Sequence, residues 1–192
     1  MYYKKTLVFF VAFFISCLSF AQVQTVIKKT TLTVKPNTTI YFNGSVEIDS
    51  GTFLNNGISV NTSDIKNVSG SVSSGGKFVF IGTGNSFIQG RYYDKFGTVQ
   101  INKSSATAIV NLGGSIKLDT LIFSSDNKFY TGNDTIFIIN ADTNSIQGFD
   151  SLRYVYGNLD RKISAGNRYN FPIGDSLGYR HSMLVINSVS GI

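Results

Sequence analysis

Short apolar pairs, two residues separated by one, recur along this chain and leave little choice of fold. They are Leu32/Val34, Ile40/Phe42, Val46/Ile48, Ile58/Val60, Phe78/Phe80, Val99/Ile101, Ile116/Leu118, Leu121/Phe123 and Ile136/Ile138. A period of two places both side chains of a pair on one face of a strand. Turn formers separate the pairs, among them Asn55-Asn56-Gly57, Ser73-Ser74-Gly75-Gly76, Gly82-Thr83-Gly84-Asn85, Gly113-Gly114 and Gly132-Asn133-Asp134. No window sustains an apolar stripe at i, i+3, i+4, so the chain is all-β. Four pairs form a ladder: Ile58, Phe78, Val99 and Leu121 follow one another at steps of 20, 21 and 22 residues. Gly57, Gly76 and Gly97 stand one or two residues ahead of the first three. One coil of a β-solenoid needs such a unit, because a coil cannot bury its inner face until the next coil stacks on it. The spacing predicts a right-handed parallel β-helix, or β-solenoid-like domain, over residues 22–165. Its regularity fades over Thr39 to Asp49 and after Asn140. The alternative is an antiparallel β-sandwich with similar turn spacing.

The amino end reads as an export signal, residues 1–21. Lys4 and Lys5 form a positive start, Leu7 to Ile15 an apolar run of 9 residues, and Ser19-Phe20-Ala21 a small-x-small cleavage site before Gln22. Nine apolar residues are too few to span a bilayer, which needs about 20. A chain cut after Ala21 has no transmembrane segment in prospect. It also has no cysteine, since Cys17 lies within the signal. The alternative use of Cys17 is as the lipidated residue of a lipoprotein, with Ser16 in the small-residue box before it. Stability then rests on backbone pairing and apolar burial, which a domain of this length can supply without disulfides.

Charge and residue types exclude several functions. The chain has 17 Lys and Arg against 11 Asp and Glu. The basic residues are scattered, with Lys28-Lys29 and Arg161-Lys162 as the pairs beyond the signal, so no basic stripe for nucleic acid exists. A mildly basic surface favours acidic polysaccharide or anionic lipid instead. His181 is the single histidine, which rules out histidine triads and paired-histidine metal sites. Asp119, Asp126, Asp134 and Asp142 are too widely spaced for a calcium loop. No cofactor or metal site is expected. Lys77, Lys103, Lys117 and Lys128, in or beside strands, read as charges that discourage edge pairing.

The densest charge cluster is Arg91, Asp94 and Lys95 around Tyr92-Tyr93. It has two readings. One is a base and acidic partners for a β-helix polysaccharide lyase, with Arg91 or Lys95 taking a proton beside a uronate. The other, favoured here, is a solvated loop whose tyrosines cover the end of a coil. Exposed tyrosines suit the apolar face of a sugar ring, so Tyr92 and Tyr93 are the candidate glycan contacts. Tyr154 and Tyr156, sharing one strand face, read as core. Short alternations broken by Gly and Asn also disfavour a small outer-membrane barrel, whose strands need about 9–11 residues.

The carboxyl half carries a more specific order of motifs. Phe96-Gly97-Thr98-Val99-Gln100-Ile101-Asn102-Lys103 is followed by Gly114-Ser115-Ile116-Lys117-Leu118, Tyr130-Thr131-Gly132-Asn133-Asp134-Thr135-Ile136, Tyr154-Val155-Tyr156-Gly157-Asn158 and Tyr169-Asn170-Phe171-Pro172-Ile173-Gly174. This order resembles the repeat-rich region of large secreted and cell-surface proteins of Bacteroidetes, exported by type IX secretion and adhesin-like. The resemblance implies that residues 166–192 open a further β-domain, truncated here. It also implies candidate O-glycosylation at Thr120, Thr135, Ser151 and Ser176, each in an Asp-Ser/Thr-apolar triplet. The function expected is a non-catalytic structural or adhesive segment of an exported surface protein, meeting extracellular glycan or cell-envelope components. The alternative is the lyase-like carbohydrate-active enzyme.

Overall fold

The structure, a computed structural model, describes residues 24–187; residues 1–21, expected to be an export signal, and Cys17 within them lie outside the described residues. The chain winds into a parallel β-solenoid of about seven turns. Coil 1 comprises β1 (Gln24–Lys28), β2 (Thr31–Val34) and β3 (Thr39–Phe42). Coil 2 comprises β4 (Ser45–Asp49), β5 (Thr52–Asn55) and β6 (Ile58–Asn61), and coil 3 β7 (Ile65–Asn67), β8 (Ser71–Ser74) and β9 (Lys77–Phe80). Coil 4 has β10 (Ser86–Gln89) and β11 (Thr98–Ile101), with a turn where its second strand would be. Coil 5 holds β12 (Val110–Leu112), β13 (Ile116–Leu118) and β14 (Thr120–Phe123). In coil 6, β15 (Phe129–Ile138) runs through two faces, and a 3-10 turn at Thr143–Ser145 precedes β16 (Ile146–Gln147). The last coil keeps β17 (Val155–Arg161), followed by the hairpin β18 (Asn167–Asp175) and β19 (Gly178–Ile186).

Three sheets form the walls. The first face runs β1-β4-β7-β10-β12-β15-β17-β18-β19, and the third β3-β6-β9-β11-β14-β16. The second begins β2-β5-β8 and continues through single bridges, Ser73 to Lys95 and Lys95 to Lys117, into β13, then the carboxyl halves of β15 and β17. Strand pairing is parallel throughout these walls, which excludes the antiparallel sandwich; β18 and β19 alone pair antiparallel among the described strands. The hairpin is hydrogen-bonded into the first face, through Val155 to Ile173 and Tyr156 to Gly174.

Apolar columns fill the interior. On the third face Phe78, Val99 and Leu121 stack in register, as do Phe80, Ile101 and Phe123. Aromatic rings cross between faces: Phe42 meets Phe53 edge-on at 5.9 Å, Phe53 meets Phe78 at 5.5 Å, and Phe78 meets Phe96 at 5.1 Å. Edge-on contact of this kind is the favoured aromatic geometry. The glycines ahead of the ladder line one corner. A Cβ on Gly76 would stand 2.3 Å from the Gly57 carbonyl oxygen, and one on Gly97 2.5 Å from that of Gly76. Successive coils approach there too closely for any side chain.

Three expectations need correction. Coils 1 and 2 are regular, not faded, with β3 to β6 and β6 to β9 in full register. On the third face their step is 19 residues, and the ladder partner of Phe78 is Ser59, not Ile58. The pair Ile58/Val60 therefore does not point inward: Ser59 and Asn61 do, both fully buried, while Ile58 lies on the surface. Neighbouring coils fix the register. The Phe78 and Phe80 rings occupy the adjoining interior, and Ser59 and Asn61 satisfy each other, Ser59 Oγ donating to Asn61 Oδ1 at 3.1 Å and Asn61 Nδ2 to the Ser59 carbonyl at 2.9 Å. Such mutual pairing lets polar side chains stay buried.

The lysines are the third correction. Lys77, Lys117 and Lys128 sit on middle coils, where no edge is open. Lys103 is 3 % exposed, and its ammonium donates to the Ile81 carbonyl at 2.8 Å and to Ser86 Oγ at 2.6 Å. It ties a corner between the third and first faces. Burial lowers its pKa from 10.5 to about 8. The native state therefore sheds this proton before the unfolded chain does, and stability rises as pH climbs from about 8 to 10.5, by about 2–3 kcal/mol in all. Urea unfolding across that range should show the rise in the parent protein, and Lys103→Met should flatten it. Parallel pH profiles for the two proteins would contradict the assignment.

Candidate functional site

The turn of coil 4 is where the solenoid departs from its own pattern. Arg91 to Asp94 close a β-turn, with the Asp94 N–H donating to the Arg91 carbonyl at 2.8 Å. The two central positions are Tyr92 and Tyr93. Turn tips favour Gly, Pro, Asn, Asp and Ser, so paired tyrosines at the tip are out of keeping with local propensity.

A buried carboxylate fixes the turn. Asp94 is 2 % exposed and accepts from the Val72 N–H at 2.9 Å, from Asn67 Nδ2 at 2.7 Å and from the Arg91 N–H at 2.8 Å. It thus fastens the turn to coil 3 and closes it on itself. Sequence reading grouped Asp94 with Arg91 and Lys95 as one charge cluster; the fold separates them, sending the carboxylate in and the cations out. Lys95 pairs with Asp119 at 2.8 Å, an exposed contact worth under about 1 kcal/mol.

The tyrosines are held from outside as well. Tyr92 and Tyr93 are 54 % and 76 % exposed, meeting edge-on at 6.3 Å. Lys117, on the outer face of β13, sets its ammonium 4.5 Å from the centre of the Tyr92 ring. The Arg91 guanidinium lies 5.9 Å from that of Tyr93. Phe137, on the outer face of β15, packs edge-on against Tyr92 at 5.5 Å. Phe137 also walls a depression of about 240 Å³ whose lining includes Asp160, Arg161 and Lys162. Arg91 and Lys117 have no carboxylate within ion-pair distance among the described residues.

No family model, curated protein or solved structure matches this chain. The site must be judged on its own chemistry. A lyase would bring a base and acidic groups together, yet Asp94 is turned inward, Asp119 is engaged by Lys95, and Arg91 rests over a tyrosine. No three His, Cys, Asp or Glu side chains converge as metal ligands among the described residues. The widely spaced aspartates serve locally instead: Asp126 approaches Arg153 at 3.5 Å, and Asp142 caps the 3-10 turn through the Asn144 N–H at 2.8 Å. No helix among the described residues is long and apolar enough to cross a membrane, which bears on helices and not on strands.

Other singled-out residues fall elsewhere. Tyr154 and Tyr156 flank inward-facing Val155, so neither joins the interior column. Tyr154 is nonetheless buried, beneath Tyr179 at 5.3 Å and the Lys128 ammonium at 5.0 Å. Tyr156 is half-buried and stacks on Tyr130 at 4.5 Å, 23° from parallel. His181 is exposed on β19, stacked over Tyr179 at 6.0 Å, with Nε2 2.9 Å from Asn170 Oδ1. Ser151 and Ser176 are exposed in turns, while Thr120 and Thr135 are half-buried in β14 and β15. The Tyr130–Tyr156 stack went unseen in the sequence. Its signal is the spacing of two aromatic-led segments by one coil length.

Arg161 closes the far end of the interior. It is 5 % exposed; Nη1 donates to the Asn170 carbonyl at 2.8 Å, and Nη2 to the Asp142 carbonyl at 2.8 Å and to Ser145 Oγ at 3.0 Å. Its guanidinium lies 4.7 Å from the Tyr169 ring centre. Burial pulls its pKa below the ordinary value, without approaching neutrality at any physiological pH. The residue is a cap, not a reactive group.

Proposed function

We propose that this chain is a non-catalytic structural or adhesive segment of an exported cell-surface protein. One observation carries the reading: a turn anchored by a buried carboxylate holds two tyrosines out from a rigid parallel wall. Loops fixed on a scaffold are the usual place for recognition. The interior polar groups support it too, since Asp94 and Lys103 spend their hydrogen bonds on holding coils together, and Ser59 and Asn61 spend theirs on each other. The signal-like pattern of residues 1–21 supports a place for such a scaffold outside the cytoplasm.

Two measurements test this. Fractionation of cells expressing the full chain, with an antibody to it, should recover the protein from the envelope or medium and leave it open to added protease. A glycan array probed with the purified protein should give binding without turnover. Recovery from the cytoplasm alone would defeat the export reading, and release of unsaturated sugar products would replace the adhesive reading with the enzymatic one.

A further inference from the structure

We infer that the Tyr92 turn, Lys117 and Phe137 form a binding site for an acidic polysaccharide, a chain of carboxylated sugars. This deepens the adhesive reading and rests on it. The geometry supplies two kinds of contact side by side. Tyr92 and Tyr93 offer exposed ring surface, and an aromatic face suits the apolar side of a sugar ring. Arg91 and Lys117 offer cations that no carboxylate of the described residues neutralises. An arginine matches a carboxylate with two parallel hydrogen bonds, while a lysine serves as a point charge.

Register gives the site its direction. Along the outer second face, Lys95, Lys117, Phe137 and Asp160 follow one another on successive coils. Neighbouring strands lie about 4.8 Å apart, so these four positions span about 14 Å along the solenoid axis. That suits an extended oligosaccharide laid across the coils. The depression beyond Phe137, with Lys162 on its rim, lies at the far end of the same track. The four cations Arg91, Lys95, Lys117 and Lys162 face two carboxylates, Asp119 and Asp160, and the surplus favours an anionic chain over a neutral one. The site is also prearranged: the Asp94 hydrogen bonds and the Lys117 and Phe137 contacts hold the tyrosines before any ligand arrives. Binding then costs less ordering entropy than a mobile loop would require.

Titration calorimetry of the purified protein with hexameric oligogalacturonate, maltohexaose and poly-glutamate tests this. Oligogalacturonate should bind best, and raising salt from about 0.05 to 0.5 M should weaken it, as exposed charge contacts are screened. The Tyr92→Ala, Lys117→Ala double variant should lose at least tenfold in affinity. Tyr93→Ala alone should lose severalfold, with both variants melting like the parent. Equal binding of maltohexaose would overturn the acidic class, and equal binding of poly-glutamate would overturn the saccharide. Undiminished affinity in the double variant would overturn the location. Each of these failures leaves the fractionation result untouched, so the export reading stands or falls separately.

Discussion

Phe78→Ala should lower the unfolding free energy by about 3–5 kcal/mol, the range for deleting a fully buried aromatic side chain. The upper part of that range is expected because the site cannot collapse. Phe78 is 0 % exposed, held edge-on by Phe53 and tilted against Phe96, with the small Ser59 beside it in its column. Removing the ring breaks both aromatic contacts and leaves a void between coils whose backbones are already locked by parallel pairing. Urea denaturation followed by circular dichroism gives the number. Tyr41→Ala, at a ring 73 % exposed on the same wall, should fall within about 0.5 kcal/mol of the parent. A loss below about 1.5 kcal/mol for Phe78→Ala would mean that the interior is looser than described.

Asp94→Ala should cost about 2–4 kcal/mol and release the tyrosine turn. Three donors lose their acceptor at once, the Val72 and Arg91 N–H groups and the Asn67 amide. An unsatisfied buried donor costs about 1–3 kcal/mol. Relief from burying the carboxylate charge offsets part of that. Asp94→Asn should not rescue it. Whichever way the amide is turned, its nitrogen meets a donor: the Val72 N–H if it takes the place of Oδ1, or the Arg91 N–H and Asn67 Nδ2 if it takes that of Oδ2. Hydrogen exchange at residues 91–95 should quicken in both variants, while exchange in β11 and β14 stays slow. Unchanged protection at the turn would remove Asp94 from its anchoring role.

Much of this architecture is written in the apolar alternations. Phe78/Phe80, Val99/Ile101, Ile116/Leu118, Leu121/Phe123 and Ile136/Ile138 all point inward as their spacing implies, because apolar burial selects one face of each strand. The corners are harder to read. Asn55, Ser74 and Asn127 look like ordinary turn formers, yet each is buried and bridges coils: Asn55 Nδ2 donates to the Lys77 carbonyl at 3.0 Å, Ser74 Oγ to the Asn55 carbonyl at 2.8 Å, and Asn127 Nδ2 to the Ser105 carbonyl at 2.8 Å. Composition cannot separate a solvated asparagine from one that replaces a strand's hydrogen bonds. The same ambiguity hid the inward Ser59 and Asn61, whose orientation is imposed by the coils above and below. Tyr92 and Tyr93 could be singled out from their neighbours in the chain. Lys117 and Phe137 could not, because only the stacking of β13 and β15 beside the turn brings them within reach.

The parallel ladders have a mechanical corollary. Hydrogen bonds between successive coils run along the long axis, so traction applied at the two ends pulls on them lengthwise, one rung of the stack at a time. Each coil that gives way frees about 20 residues, or roughly 70 Å of extended chain. Its neighbours meanwhile keep their own pairing, since contacts in a stacked array reach little beyond the next unit. A tether built this way lengthens in steps under load and leaves the tyrosine turn seated until coils 3 to 6 themselves open.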